Sequence, residues 1–378
     1  MARDVNKRIE QLRTRRNGMD RLGRLSRDAQ IDVLAKSLTE EAWSKRAAAQ
    51  PNTRYALGSM QEVSPEYTRI SIETAERVGR QLDAALTSAG FTVDFRLQGS
   101  VPLNVHIRGV SDVDLLNLDT SFFVYATAGV LSQRGLYGSS TSARTSIGVL
   151  SSLRTESERI LKDKFPATTV DVSGSKAIKI SGGSLARPVD VVPSHWYDTV
   201  QYQSSGQAHD RGVTILDKKV PQTIDNLPFL HIKLVGDRCD AAIGGLRKSI
   251  RLCKNVKADA ESEKTEISLA SFDIASTMYH ADMNALRLGS VYELRILAET
   301  QRHLDYLACH HEYAKTLMVP DGSRRIFDTN AKLAGLNQLS IEMDDLAKQV
   351  AKEQRPAFSH GELTLSESRS AIESLLVR

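Results

Sequence analysis

The chain has 378 residues, 41% of them hydrophobic and 25% charged, an ordinary globular composition with enough length for two lobes. Its formal charge of +4 is too mild to mark a nucleic-acid or membrane surface by itself. No apolar run nears the roughly 18 residues of a membrane span. The first residues are charged, unlike a signal peptide, and Cys239, Cys253 and Cys309 lack CxxC spacing, so a reducing, cytoplasmic setting is expected.

The N-terminal segment is basic and helical in pattern. Arg3, Lys7, Arg8, Arg13, Arg15, Arg16, Arg21, Arg24 and Arg27 precede the apolar Ile31, Val33, Leu34 and Leu38. Interleaved with Asp4, Glu10, Asp20 and Asp28, the cations read as a solvated helix face rather than a polyanion-binding arm. Residues 50–64 read as a loop. From Pro65 to about Ala89 the apolar spacing predicts a long helix with Ser64 as N-cap and Gly90 as its stop, leading into a strand from Phe91 to Leu97.

The chemistry is concentrated in LQGSVPLNVHIRGVSDVDLLNLD, from Leu97 to Asp119. In a strand, residues two apart share a face, so Asp112 and Asp114 stand together while Val113 and Leu115 turn into a core. Two like charges held that close need a cation, and one or two carboxylates plus substrate phosphates is the usual way Mg²⁺ is held. Gly99-Ser100 upstream offers a backbone that can approach phosphate oxygens, with N–H and hydroxyl donors.

Ser139 to Arg144 reads as a polar loop and Ser152 to Phe165 as a helix. Three β-rich segments follow, at 168–172, 177–180 and 188–192. In RPVDVVP, Asp190 lies between Val189 and Val191 in a buried run, where an uncompensated carboxylate is costly; it is the expected third metal ligand. Asp171, in TTVDVSG, suits a wet hairpin edge instead. His195-Trp196-Tyr197 could supply a base-stacking surface or simply pack at the strand exit.

Beyond Thr199 come a Gln/Ser/Gly loop, a strand from Gly212 to Lys218 and the turn-rich VPQTIDNLP. From Pro228 the pattern is helical. Gly244 to Lys257 buries Leu246, Ile250 and Cys253 and carries Arg247, Lys248, Arg251, Lys254 and Lys257 on its polar side. Ile267 to Tyr279 is an apolar spine, and helices run through 286–317 and 330–352 around a turn at Pro320-Asp321-Gly322. Cys309-His310-His311-Glu312 reads as surface helix, because adjacent helical residues diverge by about 100°. The last two dozen residues read as a loosely docked tail.

The order helix, strand, Gly99-Ser100, Asp112-Val113-Asp114, β-rich segments with Asp190, then a helical lobe resembles the polymerase-β-like nucleotidyltransferases. Within them it is most similar to the cGAS/DncV-like group, the CD-NTases. LRKSIRLCKNVKAD followed by SLASFDIASTMYHA resembles that group's lysine helix and Ser-aromatic pair, which align with Lys254, Ser271 and Phe272. The resemblance covers residues 65–300. It departs at Leu103-Asn104, where many members have Gly-Thr, and the zinc-binding insert of the animal DNA sensor is absent.

The resemblance implies an α+β fold: a nucleotidyltransferase lobe with a mixed central sheet over 65–205, a helical lobe over 206–378, and an N-terminal helical segment over 1–64. It implies a metal-dependent enzyme that condenses nucleoside triphosphates, ATP, GTP or others, into a cyclic or short linear oligonucleotide messenger. Two Mg²⁺ ions, or Mn²⁺, would be held by Asp112, Asp114 and Asp190, with nucleotide bound by Gly99, Ser100, Lys254, Ser271 and Phe272. Expected partners are regulatory or effector proteins of a bacterial anti-phage operon, with no membrane and no required nucleic acid. The alternatives are nucleotide addition to RNA or to a protein acceptor, and a binding module with a vestigial site.

Overall fold

The architecture was read from a computed structural model describing residues 4–17, 41–109, 111–138, 143–355 and 362–377. The expected apolar segment at Ile31 to Leu38, Arg21, Arg24 and Arg27 lie outside the described residues, as do Arg3 and residues 139–142 of the expected polar loop.

The centre of the first lobe is a seven-stranded sheet of β1 (Val93–Gln98), β2 (Val113–Tyr125), β3 (Thr169–Asp171), β4 (Ile178–Ser181), β5 (Val189–Asp198), β6 (Gly212–Asp217) and β7 (Gln222–Asn226). Its order is β1-β2-β5-β4-β3, with β6 pairing the far end of β5 and β7 pairing β6. β2 and β5 run parallel and the remaining pairs antiparallel, so the sheet is mixed as expected. VPQTIDNLP was expected as turns. Its β-branched Thr223 and Ile224 instead join a strand on β6. The stretch after Thr199 is likewise not all loop: Thr199 caps a short helix, Val200–Ser205, which ends at Gly206 with φ +66°.

The longer helices are α1 (Val5–Asn17), α2 (Pro51–Met60), α3 (Pro65–Ser88), α4 (Ser146–Lys164), α5 (Pro228–Ala241), α6 (Gly245–Ser262), α7 (Ser271–Tyr279), α8 (Leu294–Cys309), α9 (Asn330–Gln354) and α10 (Leu365–Ile372). The N-cap of α3 is as expected: Ser64 Oγ accepts the Tyr67 N–H at 3.2 Å, satisfying a first-turn donor that would otherwise lack a partner. Val78, Leu82 and Leu86 of α3, with Leu153, Ile160 and Leu161 of α4, cover Val113, Leu115, Val189 and Val191 on one sheet face. Leu116, Leu118, Val192, Val213 and Ile215 form a smaller core on the other face.

The second lobe packs α6, α8 and α9 into one core that also takes in Ile9 and Leu12 of α1 and Tyr55, Ala56 and Leu57 of α2. Among the described residues, α1 and α2 therefore pack with the helical lobe. The expectation of a solvated basic face fails for three of its arginines. Arg8 is buried between Glu263 and Glu342, Arg15 pairs with Asp259, and Arg16 pairs with Glu41, because each guanidinium meets a carboxylate across a helix contact. The expected loose tail is also corrected. Thr364 and Glu367 form a capping box, and Ala371 and Ile372 of α10 are buried in the helical core.

Candidate active site

Strand register assembles the site. Gln98 of β1 lies opposite Asp114 of β2, Asp114 opposite Asp190 of β5, and Asp190 opposite Lys179 of β4. Residues in register share a face, so a polar row crosses four strands while Val113, Val189 and Val191 are buried behind it. Above the row is a cleft of about 370 Å³ lined by Gln98, Gly99, Ser100, Asp112, Asp114 and Asp190 from the sheet lobe. The helical lobe contributes Asn226-flanked Pro228 and His231, then Lys254, Ser271 and Phe272. All eight residues singled out in the sequence thus meet in one cavity.

Gly99 adopts φ +76°, and a Cβ there would collide with Asp114 Oδ2. Glycine is required twice over at this position, for the left-handed backbone and for the close approach of the carboxylate. The chain after Ser100 folds back so that the Val105 N–H donates to the Ser100 carbonyl at 3.1 Å. Ser111 Oγ then accepts the Ile107 N–H at 3.1 Å, closing the loop that delivers Asp112.

On the polar side of α6, Arg251 and Lys254 are buried against the sheet lobe. Arg251 donates to the Met60 carbonyl at 2.8 Å and the Asn104 carbonyl at 2.7 Å. Lys254 Nζ donates to the Val105 carbonyl at 2.9 Å and Ser111 Oγ at 3.1 Å. These long side chains therefore clamp the Gly99 to Ser111 loop onto the helical lobe while Lys254 lines the cleft.

Electrostatics mark the cleft as a place short of positive charge. Burial, then Asp190 and Asp112, push the Asp114 carboxyl up to about 7. Burial and Asp112 push Asp190 up to about 6. Burial brings Lys254 down to about 7 against the pull of Asp114. Asp190 Oδ1 is buried without a hydrogen-bond partner, an arrangement that costs free energy unless a cation or donor satisfies it. Among the described residues no three His, Cys, Asp or Glu side chains stand together as a metal centre; Asp112 is engaged by the ammonium of Lys179.

Phe272 is partly buried, stacks on His231 with centroids 4.3 Å apart, and has the Arg324 guanidinium 5.2 Å from its ring centroid. Burial holds His231 down at about 4, so its imidazole is neutral. Ser271 is exposed at the first turn of α7. Asp171 lies exposed on the edge strand, where its Oδ1 accepts the Ser173 N–H at 2.8 Å. His195 and Trp196 do not line the cleft: His195 is buried edge-on to Phe122, and Trp196 packs on Phe229. Cys309 is an exposed free thiol at the end of α8.

Sequence reasoning missed Lys179, Ser111 and His231. For Lys179 a signal existed, since Ile178 and Ile180 alternate around it and turn it to the face opposite the core. For His231 no local pattern pointed to the cleft.

No family model matches the chain. Over 357 residues it is 43% identical to the cyclic dinucleotide synthase CdnE of Yersinia aleksiciae, covering 92% of each chain. The chain belongs to the CD-NTases, the cGAS/DncV-like nucleotidyltransferases. It is also 32% identical over 296 residues to a c-di-GMP synthase of Capnocytophaga granulosa, covering 73% of this chain and 81% of that one. The solved structure of the STING-associated CdnE c-di-GMP synthase from Capnocytophaga granulosa superposes with a TM-score of 0.67 at 27% identity, over 91% of this chain and 97% of that one. That of the Flavobacteriaceae sp. enzyme gives 0.69 at 23% identity, over 93% and 99%, and attests the fold. As a CD-NTase the chain is a nucleotidyltransferase that condenses nucleoside triphosphates into cyclic oligonucleotides. No helix among the described residues is long and apolar enough to cross a membrane.

Proposed function

We propose that this CD-NTase joins two nucleoside triphosphates into a cyclic dinucleotide in the cleft between its lobes. The observation that carries the reading is the convergence there of Asp112, Asp114 and Asp190 with Gly99-Ser100, Lys254, Ser271 and Phe272. The names of the relatives make GTP the first substrate to test.

The carboxylate set, with the orphaned Asp190 Oδ1, fits a pair of hard divalent ions such as Mg²⁺ or Mn²⁺. When bound, such ions activate the attacking hydroxyl and neutralise charge on the transferred phosphoryl group. The chain's own residues do the positioning. Backbone N–H and hydroxyl groups of Gly99-Ser100 bind triphosphate oxygens, Lys254 adds a cation from the opposite wall, and the Ser271 hydroxyl takes a phosphate or sugar oxygen. Phe272, backed by His231, stacks on a base.

Nucleotide addition to RNA needs a wide basic surface, and Arg8, Arg15 and Arg16, the strongest source in the sequence, pair with carboxylates of the same chain. A cytoplasmic enzyme signalling to effector proteins of an anti-phage operon is the setting we propose; a STING-associated relative supports it. The packing of α1 and α2 into the helical core supports grouping those two helices with the helical lobe, and the pairing of β6 on β5 and β7 on β6 supports carrying the catalytic lobe from 65 past 205 to about 226.

Incubating the purified chain with each triphosphate alone and in pairs, in Mg²⁺ and in Mn²⁺, tests this. Phosphatase-resistant cyclic dinucleotide by mass spectrometry, with two pyrophosphates released per molecule and no dependence on RNA, is expected. Label appearing only in added RNA overturns it.

A further inference from the structure

We infer that Lys179 is a built-in counter-cation of the carboxylate cluster, pairing with Asp112 and competing with the divalent ion for it. The inference rests on the proposed metal-ligand role of Asp112, Asp114 and Asp190, and adds a residue that no motif marks.

Four observations converge on it. The Lys179 ammonium forms an ion pair with Asp112 Oδ2 across 67 positions of sequence. Lys179 lies in register with Asp190, at the end of the row that runs through Asp114 and Gln98, so its side chain rises on the carboxylate face. Its ammonium opposes the mutual repulsion of the acids at both Asp114 and Asp190. Finally, its own side chain is 44% exposed while that of Asp112 is 16% exposed. The lysine can leave toward water; the aspartate is held by the loop.

Carrier and mobility also fit. β4 joins β5 through only three registered pairs, Ile178 with Val191, Lys179 with Asp190, and Ile180 with Val189. Its other neighbour is the three-residue edge strand β3. Ile178 and Ile180 anchor the strand in the core, so the backbone stays while the four-carbon stem of Lys179 swings. A lysine is suited to the exchange, because its ammonium is a compact, strongly hydrated charge on a flexible stem, without the fork that makes an arginine pair rigid. Displaced from Asp112, the Lys179 ammonium would turn toward the solvent to which its side chain is already partly exposed.

The test is Mn²⁺ binding without nucleotide, read by electron paramagnetic resonance, on the parent, Lys179→Met, Lys179→Arg and the Asp112→Asn, Asp114→Asn double variant. Lys179→Met is expected to bind Mn²⁺ about 2- to 5-fold more tightly than the parent, the scale of a half-exposed ion pair. It should also melt lower than the parent in chelator and regain more stability on adding Mn²⁺. Lys179→Arg, which keeps the charge, should bind no more tightly than the parent. Unchanged or weaker Mn²⁺ binding in a folded Lys179→Met overturns the counter-cation role. Should Lys179→Met not fold, the Arg variant decides: a planar guanidinium paired more firmly with Asp112 must bind Mn²⁺ as weakly as the parent or more so, and tighter binding sinks the idea. Loss of Mn²⁺ binding in the double variant is the separate check on the metal-ligand reading itself.

Discussion

The Asp114 carboxylate occupies the space where a side chain on residue 99 would begin. Turn and proposed metal ligand are therefore one device: the glycine proposed to bring backbone donors to the phosphates is also what lets the second aspartate reach the cleft. Gly99→Ala must force φ +76° on an L-residue, costing about 1–2 kcal/mol, and must displace Asp114. Turnover is expected to fall on the order of 100-fold, as for an ångström-scale misplacement of a catalytic group. Steady-state pyrophosphate release beside a melting curve checks it; full activity in the variant contradicts the coupling.

Replacing both Asp112 and Asp114 by Asn removes two ligands and their mutual repulsion together. Turnover should vanish, while the melting temperature in chelator stays equal or rises. A double variant that releases pyrophosphate at the parental rate refutes the ligand assignment.

Asp190 and Asp171 share a local sequence and differ in surroundings. Asp190→Asn is expected to cost orders of magnitude in rate, because it removes a ligand beside the nucleophile, and Asp171→Asn to cost less than about twofold. Both variants assayed side by side decide it, and the opposite ranking moves the third ligand to the β3–β4 hairpin.

Lys254→Ala should weaken binding of both NTP and free tripolyphosphate in Mg²⁺, whereas Phe272→Ala weakens only the nucleotide, by about 1–3 kcal/mol for one stacked base. The lysine variant also leaves the Val105 carbonyl without its donor, a cost of about 1–3 kcal/mol in stability. Calorimetric titration with both ligands separates the two. Equal tripolyphosphate affinity in parent and Lys254→Ala removes the lysine from the triphosphate site.

Asp114 at about 7 and Asp190 at about 6 stand above the ordinary 3.8. A carboxyl raised in the folded state binds its proton better folded than unfolded. In chelator its contribution to stability is complete below about pH 3.8 and is lost as pH rises through 6 and 7. Metal affinity runs the other way, climbing from about pH 5 to 8 as the ligands shed protons. Melting in chelator and Mn²⁺ titration across that range should show opposite slopes, both flattened in Asp190→Asn. Parallel slopes in the parent would contradict the assignment.

Much of the site was legible because it depends on local rules. Asp114 and Asp190 sit in strands whose valines must be buried, with Asp112 just ahead of the first of them, and Ser64 and Gly90 carry the chemistry of a helix start and stop. What stayed hidden depends on partners distant in sequence. Arg8 and Arg15 look solvated until Glu263, Glu342 and Asp259 arrive from other helices. Arg251 and Lys254 read as a polar helix side facing the nucleotide, and nothing local showed that the loop carbonyls of 104 and 105 would also take their hydrogen bonds. Ala371 and Ile372 form too short an apolar stretch to announce a docked helix, and only the core they enter shows it.

The buried clamp from α6 to the Gly99 loop has a kinetic meaning. Opening the two lobes would break the Arg251 and Lys254 bonds to the Asn104 and Val105 carbonyls, each about 1.5–3 kcal/mol for a charged donor. These bonds resist separation of the two walls of the cleft. On the proposed mechanism, ring closure requires the first-formed dinucleotide to present its other end to the same three aspartates. Where the walls keep their spacing, that mechanism predicts that the half-made product turns over inside the cleft between the first bond and the second.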